Sequence, residues 1–305
     1  MLEDDLFWDA YWEMRLQPME NLGKREAILA ASRLMRSLAM HLNRPLRILE
    51  AGCGEGQVIG PLTTAHAALI AWQGAAGVDL NERSLARARA DYANCRFVAG
   101  DFTREGVQTG LGQADVLLLV NALHEVFSAE VVPESGEVDV PAAKAGVEAA
   151  LGGLGARCLE AGGWLVLFDG LEPPGDPQAR VQIRLADEET QALFEVFIRQ
   201  YQPFRIQARQ LPERGCVELS RRDFARFVDK SIFLGKTLWQ TEKMESYQYF
   251  TEEEFRAVLA RQRFEIHTLS LLTVNEDKWR QRVEILTPGV HFPAEHILIT
   301  AQRRS

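Results

Sequence analysis

Leu46-Arg47-Ile48-Leu49-Glu50-Ala51-Gly52-Cys53-Gly54-Glu55-Gly56-Gln57 is the stretch that decides the fold. Four residues of strand character, Leu46 to Leu49, end in an acid, Glu50, and glycines follow at alternate positions 52, 54 and 56. A strand feeding a tight glycine turn brings backbone N–H groups close to a ligand, because no Cβ blocks the approach. The acid sets the charge of that ligand. Phosphates favour the N–H-rich start of a helix, and a carboxylate there would repel them. It suits a ligand with a cationic amine. The dinucleotide fingerprint G-x-G-x-x-G needs its third glycine for close helix–strand packing. Here that position holds Gln57, and Gly56 comes one residue early.

The segments downstream repeat a strand–helix rhythm. A helix is expected over 58–70, then the strand Ala75-Ala76-Gly77-Val78-Asp79. Asp79 lies 27 residues beyond Gly52, the span of one helix plus one strand, so it falls at the carboxyl end of the second strand. A carboxylate there can accept both hydroxyls of a ribose, whether of a nicotinamide dinucleotide or of another nucleoside. A helix with Leu85 and Ala88 on one face follows, then Arg96-Phe97-Val98-Ala99 and the turn Gly100-Asp101-Phe102. Asp115 to Val120 is a continuous apolar run behind one acid, as a central parallel strand covered on both faces requires. It delivers Asn121-Ala122-Leu123-His124-Glu125 to the edge where open α/β sheets bind ligands. Gly163 to Asp169 reads as a fifth strand, Phe250 to Leu272 as a last helix and sixth strand, and Glu295 to Ala301 as a seventh.

Together these residues resemble the class I S-adenosylmethionine-dependent methyltransferases of small-molecule type. Glu50-x-Gly52-x-Gly54-x-Gly56 stands for their motif I, E/D-x-G-x-G-x-G, and Leu123-His124-Glu125 for the run that often follows their fourth strand. The resemblance covers residues 46–172 and 246–302. It implies an α/β fold with a seven-stranded, mostly parallel, doubly wound sheet whose seventh strand is an antiparallel edge strand. It implies S-adenosylmethionine as methyl donor and S-adenosylhomocysteine as product. Glu50, Gly52, Cys53, Gly54 and Gly56 would hold the methionine end, Asp79 the ribose and Asp101 with Phe102 the adenine, with Leu80 and Asn121 completing the cofactor set. The acceptor would be a small molecule, methylated on oxygen, nitrogen or carbon, with secondary metabolism a natural setting. A NAD-dependent oxidoreductase and a non-catalytic cofactor-binding module are the alternative functions.

His124 is the residue expected to take a proton from the acceptor, since an imidazole titrates near neutrality, with Glu125 as the second choice. Trp8, Tyr11 and Trp12 share one face of an N-terminal helix and, with Tyr247, are the candidate substrate contacts. His124-Glu125 does not begin a zinc-protease HExxH motif, because position 128 is serine. The four cysteines are scattered, without the paired spacing of a zinc site, so no metal is expected.

The remaining chain organises around this core. Residues 1–175 form an N-terminal helix plus the cofactor-binding core, and 250–305 the last helix and strands. Residues 176–249 are too long for a connector and carry helical stripes, with Ser220 a candidate N-cap. They read as a helical cap inserted between strand five and the last helix. A net charge of −9 argues against nucleic acid as a partner. No apolar run approaches the roughly 18–20 residues that span a bilayer. The acidic start lacks the pattern of a signal peptide, so a cytoplasmic monomer or homodimer is expected.

Overall fold

The structure, a computed structural model, describes residues 22–304. Trp8, Tyr11 and Trp12 lie outside the described residues. The chain opens with α1 (Leu22–Leu42), followed by β1 (Leu46–Ala51), α2 (Ile59–Ala65), β2 (Ile70–Asp79), α3 (Glu82–Asp91), β3 (Arg96–Ala99), α4 (Glu105–Leu111) and β4 (Ala114–Val120). Then come α5 (Leu123–Ala129), α6 (Val140–Cys158) and β5 (Leu159–Gly170). The inserted segment holds β6 (Arg180–Leu185), α7 (Glu188–Gln200), β7 (Ala208–Gln210), β8 (Cys216–Ser220), α8 (Arg221–Ser231) and α9 (Trp239–Glu242). The chain closes with α10 (Glu252–Arg261), β9 (Phe264–Leu272), α11 (Glu276–Arg280), β10 (Val283–Ile285) and β11 (His296–Arg303).

The main sheet has seven strands in the order β3-β2-β1-β4-β5-β11-β9. The first five are mutually parallel, and β11 runs antiparallel to both β5 and β9. β11 is therefore antiparallel as expected but lies inside the sheet, and β9 takes the edge. The burial of β11 explains this: its run Ile297 to Ala301 is buried, while β9 is mostly exposed or half-buried along its length. All seven residues of β4 are buried, so the strand is covered on both faces. One face packs on α1, α2 and α3 through Met35, Leu62 and Leu85. The other packs on α6 and α10 through Leu151, Leu154 and Phe255. That two-sided winding leaves the carboxyl ends of β1, β2 and β4 side by side, with Ala51 paired to both Val78 and Leu119.

The insertion is not a purely helical cap. It has its own core, Phe194, Phe197, Phe224, Phe227 and Trp279 among others, built on a four-stranded antiparallel sheet in the order β10-β6-β8-β7. The helical expectations within it match α7 and α8: Ser220 accepts a hydrogen bond from the Asp223 N–H at 3.0 Å and so caps α8. The strands were hidden because they are short. Val181, Ile183 and Leu185 alternate inward along β6, a period-2 signal in a six-residue run wedged between a proline-rich turn and a helix start. β10 comes from beyond β9, so the cap draws on residues outside 176–249.

Candidate active site

The glycine turn sits where the strand order reverses direction between β1 and β4, the place such sheets keep for ligands. Gly52 and Cys53 both donate their N–H groups to the Val78 carbonyl, at 2.9 and 3.1 Å, which ties the turn to β2. Gly52 has a φ of 74°, and a Cβ there would stand 2.6 Å from the Cβ of Ala122, just past β4. Only glycine allows both the backbone and the approach. Gly54, with φ of 49°, is different: a Cβ there would meet nothing within 4 Å. Its α-carbon opens onto a cleft of about 190 Å³.

Glu50, Gly52, Cys53, Gly54, Asp79, Asn121 and Glu125 all line that cleft. Glu50 is buried, and its Oε2 accepts the Ile59 N–H at 2.9 Å. The first turn of α2 has no side-chain cap of its own, so Glu50 satisfies one of its N–H groups from the neighbouring strand. Burial raises the Glu50 carboxyl to about 8, against the Ile59 bond and the nearby Lys24, which lower it. Asp79 uses both oxygens: Oδ2 accepts from Gly54 N–H and Oδ1 from Asn81 N–H, each at 2.8 Å. The acid at the end of β2 thus holds the glycine turn in shape, and each oxygen keeps a further lone pair for a ligand hydroxyl. Asn121 has a φ of 54°, a left-handed conformation that asparagine tolerates better than most residues, and donates its N–H to the Phe168 carbonyl at 2.8 Å.

Other expected residues stand away from the cleft wall. Gly56 faces the rings of Phe97 and Tyr92 and serves the turn. Leu80 is 72% exposed. Asp101 is engaged by the Thr103 N–H and hydroxyl, at 2.9 and 2.6 Å, and by the Arg104 Nε. Although burial opposes it, those partners hold Asp101 below its ordinary value. Phe102 packs on the main core and reaches toward Gly52.

His124 is not among the residues that line the cleft. It is buried, its Nδ1 lies 2.8 Å from Asp169 Oδ1, and its Nε2 lies 3.8 Å from Glu245 Oε2. Burial alone would lower its pKa, but the two carboxylates outweigh it and raise the imidazole to about 10. Its surroundings therefore favour the imidazolium. Asp169, fully buried at the end of β5, takes three further donors: the N–H groups of Ala122, Leu123 and Gly170 at 3.1, 2.7 and 2.7 Å. It thereby caps α5 from outside and, with His124, fixes where the first turn of that helix stands. Tyr247 is likewise not a free contact. Its ring meets the His124 ring edge-on at 4.6 Å, its hydroxyl donates to Glu242 at 2.6 Å, and the Lys230 ammonium lies 3.6 Å from its ring centre.

Glu125 is the group of that turn that reaches the cleft. Its side chain is exposed at the cleft. The surrounding protein first raises it to about 7, the His124 ring pulls the other way, and the charges of Glu245, Asp79 and Asp169 add to the rise. Lys24, Asp169 and Glu245 were not singled out from the sequence. Asp169 was readable only as a strand end, and nothing local marks Lys24 or Glu245.

Residues 48–135 match the family model of a methyltransferase domain. The chain carries a methyltransferase domain. The strand order, with its single antiparallel insertion, is that of the class I, S-adenosylmethionine-dependent fold. The match and the strand order set aside the nicotinamide reading. Among solved structures, the chain is similar to an S-adenosylmethionine-dependent methyltransferase from Mesorhizobium loti, at 17% identity, 91% of this chain, 98% of that one and a TM-score of 0.47. It is also similar to magnesium protoporphyrin IX methyltransferase from Synechocystis with bound S-adenosylhomocysteine, at 14% identity, 97% and 93% coverage and a TM-score of 0.44. An amino pentose methyltransferase of Micromonospora echinaspora aligns at 15% identity, 98% and 96% coverage and a TM-score of 0.44. No curated protein matches the sequence. No helix among the described residues is long and apolar enough to cross a membrane, and no group of residues there could hold a metal ion.

Proposed function

We propose that this methyltransferase domain methylates a small-molecule acceptor in the cleft at the carboxyl ends of β1, β2 and β4, with Glu125 as the proton acceptor. The observation that carries it is the place of Glu125, on the wall of the same cleft as the glycine turn and Asp79. The cleft fits the methyl donor. Gly54 leaves clear space, and the wall carries Glu50 and Asp79 where a cationic, ribose-bearing molecule needs carboxylates. When bound, S-adenosylmethionine supplies an already activated methyl group. The chain's own task is then to place the acceptor in line, keep water out and take up one proton.

Each residue has a separate part in this reading. Asp79 shapes the turn and presents lone pairs to the ribose. Glu50 answers the donor's ammonium. Asp169 and His124 act through others: they set α5, and so the position of Glu125. A base works best when its pKa lies near the working pH, and Glu125 meets that condition whereas His124 does not. The carboxylate is the active form, so turnover should rise with pH through about 7 and then level off. Glu125→Gln should cut turnover by roughly 100-fold or more and remove that rising limb. An active glutamine variant with the limb intact would show that the proton leaves by another route. The family alone does not choose the acceptor.

A further inference from the structure

Lys24 reaches the cleft from the first turn of α1, a part of the chain that no motif marks. Gly23 seats that turn. A Cβ on it would stand 2.4 Å from the Cζ of Phe168, so the backbone of α1 lies close against the ring at the carboxyl end of β5. The carbonyl of Phe168 accepts the Asn121 N–H, and Asn121 lines the cleft. From the glycine turn, Gln57 Oε1 accepts from the Lys24 Nζ at 2.5 Å. Two elements therefore fix the ammonium, α1 that carries it and the turn that binds it. Its charge is felt by the Glu50 carboxyl. Glu50, Glu55, Asp79 and Glu125 also line the cleft, and among the described lining residues Lys24 is the basic one.

We propose that Lys24 receives the α-carboxylate of the methyl donor, and so makes the cleft selective for the donor with its amino-acid end intact over its decarboxylated form. This rests on the reading of the cleft as the donor site. The ammonium and the carboxylate of an amino acid leave the same carbon. Their partners must therefore stand near one another, one acidic and one basic. Glu50 and Lys24 both line the cleft, within reach of each other's charge. Gln57 is a neutral acceptor, so its bond orients the ammonium without neutralising it. Charge gives the selectivity its sign. Loss of the carboxylate turns the amino-acid end from a zwitterion into a cation. A cleft lined by Glu50, Glu55, Asp79 and Glu125 would, on those charges alone, hold the cation more tightly. A preference for the intact end therefore needs a positive charge at the site, and a carboxylate bonded to an ammonium is among the stronger pairings available.

The test is calorimetry on the full chain at pH 8 with two ligands, S-adenosylhomocysteine and its decarboxylated analogue S-adenosyl-3-thiopropylamine. Neither carries a methyl group to transfer, so binding alone is read. Wild type should bind S-adenosylhomocysteine about tenfold or more tightly than the analogue. Lys24→Met, checked for native near-UV circular dichroism, should make the two affinities equal or reverse their order. Lys24→Arg, which keeps the charge, should restore the preference. A Lys24 that only steadied α1 against the glycine turn would weaken both ligands alike, and an unchanged ratio in Lys24→Met overturns the assignment. Equal or tighter binding of the analogue by wild type overturns it too, and that comparison needs no variant to fold. Wild type that binds neither ligand removes the donor reading of the cleft and this assignment with it, whereas an unchanged ratio removes Lys24 alone.

Discussion

Two glycines of one turn should fail in different ways when given a methyl group. In Gly52→Ala the new Cβ stands 2.6 Å from the Ala122 Cβ, well inside contact distance, on a backbone with φ of 74°. The left-handed backbone costs about 1–2 kcal/mol for a residue with a Cβ. The overpacking adds about 1–3 kcal/mol, because the neighbour belongs to the buried start of α5 and has little room to move. The sum is a loss of about 2–5 kcal/mol in folding stability. In Gly54→Ala the backbone, at φ of 49°, carries a similar cost of about 1–2 kcal/mol, but nothing lies within 4 Å of the new atom. Its methyl projects into the cleft instead. Urea denaturation, with unchanged slope, measures the first quantity, and calorimetry with S-adenosylhomocysteine the second. Gly52→Ala should be the less stable of the two, and Gly54→Ala should bind at least about tenfold more weakly than wild type while staying folded. Equal stability in the two variants would refute the close approach to Ala122. Wild-type affinity in Gly54→Ala would mean that the ligand does not lie against the turn.

Binding of the donor should expel a proton. Glu50, raised to about 8, is protonated at pH 7, and a cationic ligand favours its carboxylate, so affinity should climb with pH up to about 8 and then level. Calorimetry at pH 7 in buffers of different ionisation enthalpy should show release of about one proton in wild type and none in Glu50→Gln; proton uptake would contradict the assignment. Asp169→Asn should cost about 3–5 kcal/mol in urea unfolding, because it leaves the buried His124 charge without its closest partner. His124 has its pKa raised from the ordinary 6.5 to about 10, so its contribution is complete below pH 6.5 and is lost as pH climbs to about 10. That decline should be present in wild type and much reduced in Asp169→Asn, and a variant as stable as wild type would show that the pair carries no net stability.

The core was legible because its signals are redundant. An apolar strand, a glycine turn and an acid at the next strand end each constrain the same site, and β4 announces itself by an unbroken buried run. The cap was half legible: α7 and α8 carry wide apolar stripes, whereas β7 and β10 are three residues long and too short for any period to show. The inner place of β11 was hidden for another reason, since strand order is a property of the assembled sheet. The different surroundings of His124 and Glu125 were the least legible feature. Adjacent residues on a helix point in different directions, and the partners that decide their protonation, Asp169 and Glu245, lie 45 and about 120 positions away. A histidine near neutrality is a sound expectation from composition. Only three-dimensional packing shows that two carboxylates have already claimed it.

The cap sheet takes its fourth strand from beyond β9, and this bears on how the acceptor gets in. A lid that swings open needs few connections to its base, so that a small number of backbone torsions can absorb the rotation. Here the polypeptide crosses between core and cap four times: after β5, before α10, after β9 and before β11. The last two crossings stitch β10 against β6, within the cap's own sheet. A rigid-body swing would have to bend all four crossings at once. The cheaper motion is for short local segments to give way while the frame stays put, and the stretch around Glu245 to Tyr247, which joins α9 to α10 without regular structure, stands directly over His124 and the buried end of β5. With the frame held at four points, that strap is the segment left to yield.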